Sequence, residues 1–480
     1  MTRKICIKGA DWIVAWDAAA ERQAYLRGGD VVIAGNAIEY VGPRYAGSAD
    51  ETVDGSGLMV MPGLVDIHSH PSTEPFYRGI REEHGVPQMY MSGLYERSVA
   101  YAPPMEARRY AGEVAYCEML LSGITTVADL SASYPGWLDL AGRSGLRVYL
   151  APSFASARWA LEDEWRLAYK WDDPAAVEQR FMEAVKLACA GARHPSGRLG
   201  GIVSPAQIDT CTPELLREAH KCSRDLGLPF TTHCAQSVNE FNEMVRRHGK
   251  TPIQWAHEIG ILGPETILGH GIFTDEHSWI RWHGHEDLKI LAETGVSIAH
   301  CPSPFARYGQ ALEDFGRYRR AGVNMGLGTD VSPHNLIEEM RLAAILARVA
   351  AEDIDTLQTA DLFHAGTVGG ATALGRPDLG RLAPGAKADL VLVDLDHPLM
   401  RPARDPLRSL VYTAADRAVR DVYVDGIKVV ENRRVLTLDH AGAHERLAEA
   451  QQRMEASVPE RDFKRRRSEE ISPLSLPVMR

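Results

Sequence analysis

At 480 residues the chain is long enough for more than one structural unit and a large core, and 45% hydrophobic with 24% charged residues is the make-up of a globular enzyme. Lys and Arg total 53 against 64 Asp and Glu, a net charge of −11 that argues against nucleic acid as a partner; the basic run Lys464 to Arg467 lies in a polar tail and reads as a solvated patch. No apolar run approaches the roughly 20 residues that span a bilayer, and seven scattered cysteines without a CxxC spacing point to reduced thiols in a cytoplasm, not a disulfide framework.

The N-terminal MTRKICIKGADWIV has no signal-peptide core and reads as a strand. Residues 1–60 alternate apolar runs such as DWIVAW and DVVIAGNAIEYVG with Gly-Asn and Asp-Gly turns. That texture returns in ADLVLVDLD and VRDVYVDGIKVVENRRV, so residues 1–60 and 378–436 are expected to build one composite β-domain. Residues 61–377 alternate short strands with amphipathic helical stretches, several of which stop at Gly. The strands are predicted at 64–70, 124–129, 147–152, 199–205, 229–234, 266–271, 296–301 and 324–330. Eight near-continuous apolar strands, each followed by a helix, predict an α/β fold closed into a (β/α)8 TIM barrel. Residues 437–480 are expected to form a helix over 443–458 and then a charged, Ser/Pro-rich tail.

The barrel is organised around MPGLVDIHSH at 61–70. Strand periodicity puts Asp66, His68 and His70 on one face and Val65 and Ile67 on the other. Residues at the C-terminal ends of barrel strands do the chemistry of this architecture. Those ends carry His68 and His70 on the first strand, His233 on the fifth, His270 on the sixth, His300 on the seventh and Asp330 on the eighth. Each alone has a plainer account, such as a hydrogen-bonded core histidine or, for Asp330, a helix N-cap. Their coincidence at one mouth argues for a metal site. Imidazoles with a carboxylate suit Zn²⁺, or Fe²⁺, Co²⁺ or Mn²⁺, and such an ion brings the pKa of its water to about 7.

PGLVDIHSH, CTPELLREA leading to PFTTHC, LGHGIFTDE, GVSIAHCP, GLGTD and LGRLAPGAKADLVLVD together resemble the amidohydrolase superfamily, in its branch of cytosine, guanine and S-adenosylhomocysteine deaminases and triazine hydrolases. The resemblance implies a distorted (β/α)8 barrel with a β-sandwich from both termini. It implies His68, His70, His233 and Asp330 as ligands of one divalent ion, Zn²⁺ first among the candidates, and a homo-oligomer of two or more copies. His270 is implied to polarise the substrate or the attacking water, and Asp330 to accept the water's proton. Two-metal members carry a carbamylated Lys at the end of the fourth strand; LGGIVSP has no Lys, so one metal is expected.

This chain departs from the branch at Gln236, where the deaminases carry a Glu. A carboxamide hydrogen-bonds but is no general acid. Glu240 follows one helical turn later, and Gln207 and Asp209 stand where the fourth-strand loop usually offers a His. The resulting expectation is hydrolysis of a non-peptide C–N bond in a small heterocyclic or aromatic molecule, with Gln236 in the catalytic set. Amide, carbamate or urea hydrolysis is the alternative. A non-catalytic scaffold fits poorly with a retained ligand set. The loop after the first strand carries Phe76, Tyr77, Tyr90, Met91 and Tyr95, with Arg78, Arg81, Glu82 and His84, and the segment after the third carries Phe154, Trp159, Trp165, Tyr169 and Trp171. Tyr77, Arg78, Tyr90, Trp159 and His300 are the expected substrate contacts, although His300 also suits a supporting place behind the ligands.

Overall fold

The computed structural model describes residues 2–82, 86–164 and 166–479, so His84 and Trp165 lie outside the described residues. Eight parallel strands line the barrel: β1 (Leu64–Ser69), β2 (Ile124–Asp129), β3 (Arg147–Leu150), β4 (Gly200–Gly201), β5 (Phe230–Cys234), β6 (Thr266–His270), β7 (Ser297–His300) and β8 (Asn324–Leu327). They pair in the order β4-β3-β2-β1-β8-β7-β6-β5. The ring closes where Val203 O accepts from Thr231 N at 2.9 Å and Ala206 O accepts from His233 N at 3.1 Å. The strand expected over 199–205 is broken into Gly200–Gly201 and a second pair, Ser204–Pro205 beside Ser153–Phe154. Pro205 has no N–H to give to a ladder, so a continuous central strand cannot run through it.

The chain termini share one sheet. Leu390–Asp394 runs antiparallel to Leu58–Pro62, with Leu392 opposite Val60. On the far side of that seam lie Lys4–Asp17, Arg22–Ala34 and Ala37–Gly42; on the near side, Val419–Val424 and Ile427–Glu431. The sheet keeps the chain through Pro62, and Gly63 N still donates to Asp389 O at 2.9 Å before β1 begins. Met61 and Pro62 are thus strand residues of the terminal sheet, not the first of the barrel.

A buried ion cluster ties the sheet to the barrel. Arg147, wholly buried in β3, donates Nε and Nη2 to the two oxygens of Asp389 at 3.0 and 3.1 Å, and Nη2 also to Asp425 Oδ1 at 3.1 Å. The fork geometry matches a carboxylate with two parallel bonds. Truncating one member leaves buried charge without its counter-charge, which costs about 3–5 kcal/mol. Arg147→Ala is therefore expected to lower the unfolding free energy by that margin, read as a lower urea midpoint, and a midpoint equal to the parent's would deny the cluster its role.

The C-terminal segment is built against the barrel mouth. Helix α1 (Arg108–Leu121) packs along α2 (His440–Ala456), with Ala111 and Val114 sharing an apolar cluster with Ala443 and Leu447. Gln451 Nε2 of α2 donates to Phe76 O and Arg78 O, both at 2.7 Å, and Ser472 Oγ accepts from Arg81 N at 2.6 Å. The loop after β1 is thereby fixed by the tail. Within the basic run read as solvated, Arg466 is in fact held between Asp462 at 2.7 Å and Glu96 at 2.6 Å. All seven cysteines are free thiols, and no helix among the described residues is long and apolar enough to cross a membrane.

Candidate metal centre and active site

The C-terminal ends of β1, β5, β6 and β8 bring five side chains to one point. Asp66, buried in β1, first sets the frame. Its Oδ1 accepts from His68 N at 3.0 Å and Thr329 N at 3.2 Å, and its Oδ2 from Thr329 Oγ1 at 2.6 Å, locking β1 to the turn that carries Asp330. Burial pushes its carboxyl up to about 7. His70 Nδ1 donates to Leu130 O at 3.0 Å and His233 Nδ1 to Ala206 O at 2.5 Å. Each bond leaves the ring's Nε2 turned to the centre, the usual way a ligating imidazole is oriented.

The separations are those of a coordination shell. His70 Nε2 stands 3.2 Å from His233 Nε2 and 3.2 Å from Asp330 Oδ1, and His68 Nε2 is 3.6 Å from the same oxygen. Ligands bound tetrahedrally at 2.0–2.1 Å lie about 3.3 Å apart. His68 is wholly buried, and neither of its ring nitrogens has a hydrogen-bond partner among the described residues. A buried polar atom without a partner costs about 1–3 kcal/mol, and a cation at the shared point would satisfy it. The donor set therefore fits a divalent ion.

Backbone and space are spent on this arrangement. Asp330 has φ 58° and His270 φ 79°, left-handed values that non-glycine residues adopt at a cost. A methyl on Gly269 would meet His68 Cε1 at 2.7 Å, and one on Gly328 would meet His68 Cβ at 2.6 Å. The two glycines are the walls of the His68 slot.

The electrostatics are those of a cation site. Burial alone would raise Asp330, but the hydrogen bond with His70 and the surrounding imidazoles hold it well below the usual carboxylate range. Burial, and then the neighbouring imidazoles, lower His68 far below its ordinary value; burial first takes His233 to about 4 and His270 to about 3. His70 runs the other way, to about 9: burial lowers it, but the hydrogen bond and charge of Asp330, with Glu74 and Leu130 O, together outweigh that. Cys301 Sγ also reaches the cluster of His68, His270 and Asp330. Its burial keeps the thiol protonated, so imidazole and carboxylate are the better donors.

A cavity of about 290 Å³ opens over these ligands, small even for a drug-sized site. Gln236, Gln207, Trp159, Tyr77, Phe305 and Arg108 are among the residues on its wall, with His270 at its base beside Phe305, ring centroids 4.6 Å apart. Gln236 Nε2 donates to Gln207 Oε1 at 2.5 Å. Glu240 is turned away from the cavity. Its oxygens accept from Ala235 N at 2.6 Å and Gln236 N at 3.0 Å, and burial raises it to about 8. It shapes the turn after β5 and does not replace the missing Glu. Asp209 accepts from Trp159 Nε1 at 3.1 Å and Tyr169 Oη at 2.8 Å, which fixes the indole on the wall.

Of the five expected substrate contacts, Tyr77 and Trp159 line the cavity and three do not. Arg78 is drawn off by an ion pair with Glu118 and by Ser332 Oγ at 3.3 Å. Tyr90 follows a tight turn with φ 51°, stands 44% exposed, and accepts from Asn242 Nδ2 at 2.9 Å. His300 is buried beneath the site against Phe315, on the wall of a separate apolar cavity. Sequence reasoning missed Glu74, Arg97 and Arg108. Arg97 is buried between Glu74 at 3.7 Å and Glu82 at 3.4 Å. Arg108 Nε and Nη1 are buried without a hydrogen-bond partner among the described residues. The one available signal was their density in the long segment after β1.

Comparisons with known proteins agree with this fold. A 5-methylthioadenosine/S-adenosylhomocysteine deaminase of Natronomonas pharaonis is 30% identical over 85% of this chain and 89% of its own. An adenosine deaminase from Xanthomonas campestris, solved with bound zinc, superposes with a TM-score of 0.80 at 23% identity over 95% of this chain and 99% of its own. Atrazine chlorohydrolase from Arthrobacter aurescens, complexed with zinc, gives 0.76 at 26% identity over 94% and 99%. Residues 59–429 match the amidohydrolase family itself, and with that match spanning terminal sheet and barrel alike the chain belongs to this family.

Proposed function

We propose that this member of a family of metal-dependent C–N hydrolases is a deaminase that holds one Zn²⁺ on His68, His70, His233 and Asp330 and releases ammonia from an amino-substituted nitrogen heterocycle. The observation that carries the reading is His68: a buried Nε2 without a hydrogen-bond partner among the described residues, set among donors at coordination spacing. The ion supplies Lewis-acid activation of water when bound. Asp330, its Oδ1 3.2 Å from His70 Nε2, takes the proton as the water oxygen adds to the ring carbon. His270, kept neutral by burial, lies on the cavity floor where it can hydrogen-bond the oxygen or ring nitrogen that gains charge. The C–N bond then breaks, ammonia leaves with a returned proton, and the hydroxyl hydrogen left on the added oxygen passes to the ring nitrogen, so that the ring keeps the oxygen as a carbonyl beside an N–H. Gln236 cannot supply that proton, so Asp330, already carrying one, returns it.

Trp159 and Phe305 bring aromatic surface to the cavity wall, which suits a planar ring, and Gln207 and Gln236 bring a hydrogen-bonded amide pair to the same wall. Arg108 favours a substrate with an acceptor at its outer end. The named relative acts on such adenosine derivatives, which makes them the first compounds to try. The test is a screen of the metal-loaded protein against 5′-substituted adenosines, aminated triazines, anilides, carbamates and ureas. Ammonia is the expected product; release of aniline or alkylamine alone overturns deamination in favour of amide-type hydrolysis. Gln236→Glu places a carboxyl where the leaving nitrogen departs. Because a positioned acid contributes about 10²–10⁴-fold, at least a tenfold gain in kcat for ammonia release is expected, and a loss would mean that the Gln236–Gln207 pair binds substrate. Seven free thiols suit a reducing cytoplasm, which we assign as its location.

A further inference from the structure

Outside the barrel, where α1 meets α2, a second group of metal-type donors converges. His440 and His444 are four residues apart on the first turns of α2, so they share a face. Their Nε2 atoms are 3.0 Å apart. Two ligands of one tetrahedral ion at about 2.0–2.1 Å stand about 3.3 Å from each other, so the imidazoles need to part by only a few tenths of an ångström. Glu118, from α1, completes the group: a carboxylate oxygen and the two ring nitrogens all lie within 4.8 Å of one another. One Glu118 oxygen pairs with Arg78. The other, Oε2, is buried and has no hydrogen-bond partner among the described residues.

We propose that Glu118, His440 and His444 form a second divalent-cation site, separate from the catalytic centre, that joins the C-terminal helix to the barrel. Two imidazoles and one carboxylate select a borderline transition ion such as Zn²⁺ over Mg²⁺ or Ca²⁺, which prefer oxygen ligands alone. Two ligands on one helix and the third on its neighbour make the ion a cross-link of α1 and α2. Through Gln451, α2 also holds the backbone of Phe76 and Arg78 in the loop after β1. Occupancy at the helix junction is thereby connected to the segment that walls the pocket.

The site is tested with Zn²⁺ alone. Equilibrium dialysis of the holoenzyme is expected to show one more equivalent bound per chain than the His440→Ala/His444→Ala variant takes up. That variant is expected to keep the parent's hydrolase rate at low metal, since neither side chain reaches the pocket. A second measurement needs no substitution: micromolar Zn²⁺, added after the catalytic site is filled, should slow diethyl pyrocarbonate modification of His440 and His444 at least fivefold, as read by peptide mass spectrometry. Mg²⁺ should give no such protection. Equal zinc content in parent and variant, or modification unchanged by Zn²⁺, overturns the site.

Discussion

Asp330→Asn is expected to lower kcat by about 10³-fold, or about 4 kcal/mol of transition-state stabilisation, with KM within a few-fold of the parent. Asn keeps the shape of Asp and its hydrogen-bonding capacity, so the left-handed turn at φ 58° and the backbone bond from Asp330 N to His68 O at 2.9 Å survive. What disappears is a charge and a base. The carboxylate oxygen lies 3.2 Å from His70 Nε2 and 3.6 Å from His68 Nε2, where the proposed mechanism makes it ligand and proton acceptor together. A carboxamide retains part of the first role and none of the second. The cavity walls, Trp159 and Phe305 among them, are untouched, which is why the loss should fall on kcat. Metal analysis of the same sample separates the two roles. Activity loss with the ion retained isolates the proton transfer; loss of both assigns the defect to binding. A variant within threefold of the parent's kcat would remove Asp330 from the chemistry.

The convergence of the candidate ligands could be read from the chain because a barrel fixes where strand ends go. Once eight strands are counted, His68, His70, His233, His270 and Asp330 must meet at one mouth, however far apart they lie in sequence. The fold was readable for the same reason: the switch from two-residue to helical periodicity marks each βα unit. What stayed hidden depends on pairings that no periodicity encodes. Arg78 looked like a pocket residue because its neighbour Tyr77 is one; its position is decided by Glu118 on α1. Tyr90 faces Asn242 because of a turn whose handedness its sequence did not announce. The Arg147–Asp389 cluster joins residues 242 apart and belongs to the junction of two units, each of which was readable by itself. Glu240 follows Gln236 by one helical turn in the sequence, but the backbone amides of Ala235 and Gln236 claim both of its oxygens.

Gly269→Ala should yield a folded protein that has lost its catalytic metal. The added methyl arrives 2.7 Å from His68 Cε1 and 3.1 Å from Nδ1, closer than such atoms tolerate. The ring cannot retreat into solvent, because His68 is wholly buried, nor toward β8, where the surface of Gly328 already closes the slot. It must tilt, and its Nε2 leaves the shared point. An extra methyl in a packed core costs about 1–3 kcal/mol, which a fold stable by about 5–15 kcal/mol survives. Coordination is less forgiving: bond lengths hold to about ±0.2 Å, so a ligand moved by half an ångström is a ligand lost. Zinc affinity is expected to fall at least 100-fold while the circular dichroism spectrum stays that of the parent. Gly284→Ala is the control, since a methyl there meets Trp282 Cδ1 at an ordinary 3.5 Å and should leave metal content unchanged. If Gly269→Ala bound zinc as tightly as the parent, His68 would not be a ligand held by its slot, and the three remaining donors would have to account for the ion alone.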